Sequence, residues 1–261
     1  MDVERDRGTS ESHFAAFVEM LSSAVGHSDR AAPLRAYCAG LILPGERKSV
    51  EPMAARVEPT RVQAAHQSLH HFVAKAGWSD EAVMAKVRTH ALAMIERHGP
   101  IRAWIIDDTG FPKKGVHSVG VSRQYCGQLG KQDNCQIAVS LSVANDHASL
   151  PIAYRLYLPQ VWADDPARRA KAGVPDDIVF RTKPQIALDQ VRTAQAQGVA
   201  PGVVLADAGY GVDTTFRTGL TKVGLAYVVG VQSSMSLWPP GVSPRAQPRT
   251  MSLLPETSLA S

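Results

Sequence analysis

Residues 101–109 read IRAWIIDDT, and residues 202–211 read GVVLADAGYG. Each is an apolar run that closes on aspartate, at Asp107-Asp108 in the first and at Asp207 in the second. Short apolar runs bounded by turn residues are the pattern of strands buried inside a sheet. Between them, Gln136–Ala144 (QIAVSLSVA) and Leu150–Leu158 (LPIAYRLYL) read as two further strands. The turn residues Asn145-Asp146-His147 separate these two. Residues 162–177 (WADDPARRAKAGVPDD) form a polar insertion, expected as a surface loop or short helix. Pro184–Gln197 reads as a helix, with proline near its start and Gly198 just past its end. A short amphipathic segment through Leu220 leads to a last strand, Leu225–Val231 (LAYVVGV).

The order is therefore three strands, helix, strand, helix, strand. Hairpin-linked strands followed by right-handed crossovers predict an α/β fold, a mixed sheet covered by helices. The ribonuclease-H-like fold has this order of elements. In it the first and fourth strands are neighbours, so the ends carrying Asp107, Asp108 and Asp207 are expected to meet. This core is expected over residues 100–232. A small helical domain over residues 14–99 precedes it. There Val62, Ala65, Leu69, Phe72 and Ala76 recur at spacings of three and four. Ser79 is placed to cap the next helix, and Gly99-Pro100 to stop it. Residues 1–13 are polar and expected to be frayed. Residues 233–261 hold Pro239, Pro240, Pro244, Pro248 and Pro255 without periodicity, and are expected to be disordered.

Composition narrows the function classes. The chain has 261 residues, 44% of them hydrophobic, which is enough for a core, and its net charge of +4 permits a polyanionic partner without requiring one. No run of about 18 apolar residues occurs, so a membrane span is not expected. The charged N-terminus lacks the apolar stretch of a signal peptide, and Cys38, Cys126 and Cys135 form no CxxC pair. The reading is a cytoplasmic protein.

Carboxylates at strand ends are well placed to hold a hard cation through oxygen ligands. Two such ions about 3.5–4 Å apart serve phosphodiester chemistry. From Thr109 to Gln132 there is no acidic residue, while Lys113, Lys114, Arg123 and Lys131 are interleaved with glycines. A glycine-rich basic loop brings backbone and cations close to phosphates. It is not a nucleotide-binding P-loop, because Gly127–Lys131 is too short and Gln132 stands where Ser or Thr is required. His66 and His70 have the spacing of a helical zinc site, but Gln67 replaces the glutamate base such a site uses. Trp104 and Trp162 read as core residues.

The stretch from Ile105 to Ala144, together with VLADAGYG at 204–211 and AYVVGVQ at 226–232, resembles the DDE transposases of bacterial insertion sequences. Upstream, LILPGERKSVEPMAAR at 41–56 and HQSLHHFV at 66–73 resemble the helical N-terminal region of the same group. The resemblance covers roughly residues 30 to 240. It implies a ribonuclease-H-like core, dependence on Mg²⁺ (or Mn²⁺), and cutting and joining of transposon-end DNA by a homo-oligomer. Carried over by position, the first catalytic and metal-binding aspartate is Asp108, with Asp107 the alternative, since neighbours on a strand point to opposite faces. The second is Asp207. Lys113, Lys114, Arg123 and Lys131 are the expected DNA contacts.

The third acid of that family is a glutamate on a downstream helix. After Asp213 this sequence has only Glu256, in the proline-containing tail. The expectation is a transposase cut short of its third acid and inactive alone. The alternative is a non-catalytic DNA-binding regulator or inhibitor of transposition.

Overall fold

The computed structural model describes residues 2–236, with side chains described from Ser10 onward. Five α-helices come first: α1 (Asp2–Ser22), α2 (Ala31–Ile42), α3 (Val50–Val57), α4 (Val62–Ala74) and α5 (Asp80–Glu96). The expected segment 14–99 is thus largely helical, and α1 also runs through residues 2–13, where the polar sequence suggested fraying. Ser79 caps α5 as read, its side chain accepting a hydrogen bond from the Ala82 N–H at 3.1 Å. These helices bury two small apolar clusters. One gathers Val18, Leu21, Val25, Leu34 and Phe72; the other gathers Met53, Ala54 and Leu69. Trp78 stacks on Phe72 and donates its indole N–H to the Phe72 carbonyl at 2.8 Å.

A mixed sheet follows. Its strands are β1 (Ala103–Pro112), β2 (Ser122–Cys126), β3 (Lys131–Ala144), β4 (Ser149–Leu156), β5 (Val203–Ala206) and β6 (Tyr227–Val229). Along the sheet the order is β2-β3-β1-β5-β6, with β4 also paired to β3. β3 runs antiparallel to β1, β2 and β4, whereas β1, β5 and β6 are parallel. The four strands read from the apolar runs before residue 210 are all present, and the short last strand falls inside Leu225–Val231. One correction concerns residues 109–132, read above as a loop. β1 continues to Pro112 and β2 forms a hairpin with β3, which begins at Lys131, so the stretch is irregular only over residues 113–121 and in the short turn at 127–130. Its sequence, SRQYC, is mostly polar because only one face of this edge strand is covered.

The helices between strands are α6 (Gln160–Ala163), α7 (Pro166–Ala172), α8 (Lys183–Ala196), α9 (Ala208–Gly211) and α10 (Thr214–Lys222). Helix α8 shows why its sequence forms a helix there. Thr182 and Gln185 make a reciprocal capping box, Pro184 sits in the first turn, and Gly198 follows the end at φ 75°. One face of α8 buries Ile186, Ala187, Leu188, Val191 and Ala194 against Trp104 and Ile106 of β1, Leu141 of β3 and Leu220 of α10. Buried Gln190 spends its amide N–H on the Val139 carbonyl of β3 at 3.0 Å, which fixes the helix along the sheet. Trp104 and Trp162 are fully buried, as read. Their indole N–H groups donate to Ala200 and Val121 carbonyls at 2.9 and 2.7 Å. Asn145 joins α5 to the sheet by donating to the carbonyls of Ile95 and Gly99. The expected disorder of 233–261 falls, from residue 237 on, outside the described residues. Among the described residues, no helix is long and apolar enough to cross a membrane.

Candidate active site

The parallel pairing of β1 with β5 decides where the acids meet. Trp104, Ile105 and Ile106 are partners of Val204, Leu205 and Ala206. β5 ends there, whereas β1 runs on, paired with β3, to Pro112, so Asp107 and Asp108 lie within β1 and not at its end as the sequence suggested. The residue after each last partner is an aspartate, Asp107 on β1 and Asp207 after β5. Asp108 follows on the face where Trp104 and Ile106 are buried, and is itself half-buried. All three aspartates line one cavity of about 450 Å³, together with Tyr125, Gly127, Lys183 and Tyr210. Although neighbours on a strand diverge, the cavity lies where the β1–β5 pairing stops and takes in both Asp107 and Asp108.

Each carboxylate is oriented differently. Asp207 caps α9, its Oδ1 accepting from the Gly209 N–H at 2.8 Å. Asp107 Oδ1 accepts from the Asp108 N–H at 2.7 Å. Asp108 Oδ2 takes two donors, the Lys183 ammonium at 2.7 Å and the Tyr210 hydroxyl at 3.2 Å. Tyr210 is buried. Burial first, and then the charge of Asp108 beside it, push its hydroxyl far above the ordinary tyrosine range, so it stays a donor to Asp108.

Lys183 and Tyr210 were not among the residues singled out from sequence. Tyr210 follows Asp207 by three positions, one turn on, which is a local signal. Lys183 had a subtler one: a lysine in the first turn of a helix sits against the positive end of the helix dipole and needs an anion nearby.

The basic residues expected at DNA behave otherwise. Lys113 and Lys114 follow β1, Arg123 lies on β2, and Lys131 opens β3, where it pairs with Asp133 at 3.3 Å. All four are exposed, and none lines the acidic cavity. The β2–β3 hairpin, which carries Arg123 and Lys131, reaches the cavity instead through Tyr125 and Gly127. His66 and His70 lie with ring centroids 6.1 Å apart on α4, far along the chain from this cavity.

A cavity bordered by three aspartates where the parallel β1–β5 pairing ends is suited to phosphate ester chemistry. A family model described as DDE superfamily endonuclease matches residues 20–253. The chain belongs to this family. From the last residues of α1 onward, the DDE endonuclease match takes in α2–α10, the sheet and all three aspartates. A curated relative, the probable transposase for insertion sequence element IS701 of Microchaete diplosiphon, is 33% identical over 169 residues. That alignment covers 64% of this chain and 41% of the relative, so the match spans about two-fifths of the relative's length. DDE endonucleases generally use divalent metal ions. The donors here fit such an ion in kind, since Asp107, Asp108 and Asp207 offer hard carboxylate oxygens to one cavity. Among the described residues, however, no three acidic, histidine or cysteine side chains converge as a preformed metal cluster.

Proposed function

We propose that this DDE endonuclease is a transposase acting on insertion-sequence ends, with Asp108 and Asp207 as its catalytic and metal-holding carboxylates. The single observation that carries the reading is the parallel register of Ile106 with Ala206, after which the aspartates of both chain segments border one cavity. The sheet supports a ribonuclease-H-like core: β1 lies centrally between antiparallel β3 and parallel β5, with β6 beyond. Its partner is transposon-end DNA, engaged in the cytoplasm by a homo-oligomer, and the helices over 14–99 form a small helical domain joined to the sheet through α5. The similarity to the probable transposase of IS701 supports this assignment.

In this reading Asp108 and Asp207 would hold Mg²⁺ or Mn²⁺, with Asp107 as the alternative to Asp108. When bound, such an ion activates the attacking oxygen and stabilises the leaving oxygen of a phosphodiester. The protein's own contribution is orientation. Gly209 fixes one oxygen of Asp207, while Tyr210, held protonated, and Lys183 fix Oδ2 of Asp108. Lys113, Lys114, Arg123 and Lys131, exposed outside the cavity, would neutralise DNA phosphates.

No acidic residue follows Asp213 among the described residues, so the third acid of the family has no counterpart there. On this reading a site built on Asp108 and Asp207 alone holds its ion weakly and is expected to be a poor nuclease. That same observation favours the second reading, a DNA-binding regulator that occupies transposon ends without cutting them.

The test is a plasmid carrying the element's own ends, incubated with purified chain and Mg²⁺ or Mn²⁺. The expected result is retained DNA binding with slow nicking that Asp108→Asn and Asp207→Asn abolish. Nicking indifferent to both substitutions would overturn the site. Binding with no nicking under any condition selects the regulator, and rapid nicking refutes the poor-nuclease claim.

A further inference from the structure

The proposed metal site already contains a cation. Lys183 Nζ stands 2.7 Å from Asp108 Oδ2, and both side chains are shielded, 32% and 20% exposed. The lysine is not there for the sake of its helix. It occupies the first turn of α8, where the backbone N–H groups and the macrodipole already present positive charge. Nor is its position loose. The capping box of Thr182 and Gln185 sets the backbone on either side, and the buried face of α8 locks the helix to β1 and β3. Asp108 Oδ2 is filled by Lys183 and Tyr210, while its Oδ1 has no hydrogen-bond partner among the described residues.

We infer that Lys183 is a built-in counter-cation that competes with the divalent ion for Asp108. The inference rests on the metal-site reading above and adds a regulator to it. In the metal-free chain the ammonium neutralises the half-buried carboxylate and keeps the cavity from accumulating unopposed negative charge. An incoming divalent ion at Asp108 meets a like charge within a few ångströms, in a partly screened cavity where that repulsion counts. Binding through either oxygen of Asp108 therefore works against that repulsion for as long as the ammonium stays on Oδ2. Lys183 is thus a positioning residue that sets the affinity of the site for its ion.

The test measures Mn²⁺ binding to the purified 261-residue chain by calorimetry, with the bound fraction confirmed by the loss of free Mn²⁺ paramagnetic resonance signal. Lys183→Met, which keeps the length and apolar stem, is expected to bind Mn²⁺ roughly tenfold more tightly than the parent chain. Mn²⁺ is expected to raise its melting temperature by more than it raises the parent's. Lys183→Gln supplies the same comparison should the methionine variant fail to fold. Equal or weaker Mn²⁺ affinity in a folded Lys183 variant overturns the inference. Asp108→Asn separates the two claims. Loss of binding there, with no gain in Lys183→Met, removes the counter-cation and leaves the metal site. Mn²⁺ binding unaffected by Asp108→Asn, or absent from every variant, removes both.

Discussion

Ile106 and Ala206 are partners in the parallel pairing of β1 with β5, although a hundred residues of hairpin, insertion and helix separate them. That one register places Asp107, Asp108 and Asp207 on a shared cavity. Much of what surrounds the cavity serves to hold the register and the groups next to it, and it can be tested piece by piece.

The turn after β5 leaves no room for a side chain at Gly211. A Cβ there would overlap the Gly230 carbonyl oxygen, which belongs to the backbone leaving β6 and cannot rotate away. Gly211→Ala is expected to cost about 2 kcal/mol, the range of an overpacked core. Urea unfolding checks it, and a midpoint equal to the parent's would show that the turn adapts freely.

Thr182 organises the first turn of α8 through its hydrogen bond from the Gln185 N–H. Thr182→Ala removes half of the capping box and is expected to cost about 1 kcal/mol. Thr182→Ser, which restores the acceptor, should recover most of the loss. If serine and alanine behave alike, the cap is not what holds the helix start.

Cys135 is buried beside Cys126, and burial first, then its neighbouring thiol, push its thiol up to about 11. A thiol in the unfolded chain ionises near pH 8.5. Because the folded value is the higher one, the unfolded state loses its proton first as pH rises. The contribution of Cys135 is thus fully present below about pH 8.5 and declines as pH rises toward 11. Urea midpoints at pH 8, 9 and 10 should fall more steeply for the parent than for Cys135→Ala. Parallel slopes would contradict this assignment.

Lys113 and Lys114 are exposed at the end of β1 and have no acidic partner among the described ion pairs. If both meet DNA phosphates, replacing them with alanine lowers the slope of log affinity against log salt by about 2. Fluorescence anisotropy of labelled end DNA from 50 to 300 mM salt reads that slope directly. An unchanged slope assigns the phosphate contacts to other residues.

Local sequence determined a good deal of this protein. The apolar runs ending in aspartate became β1 and β5, Ser79 capped α5, and the helix read between Pro184 and Gly198 became α8, because each signal is spent within a turn or two of backbone. Strand β2 was hidden, since an edge strand covered on one face carries little apolar pattern. The family resemblance drawn from residues 105–144 and 204–211 was also legible, and the match over residues 20–253 agrees with it. What only the tertiary structure decided was the company each acid keeps. Asp107 and Asp108 are neighbours in sequence, yet it is Asp108 whose Oδ2 receives a lysine from α8 and a tyrosine from α9, 75 and 102 residues away. No local pattern specifies such a pairing. It follows from where the buried face of α8 comes to rest on the sheet, and that is set by packing across the whole core.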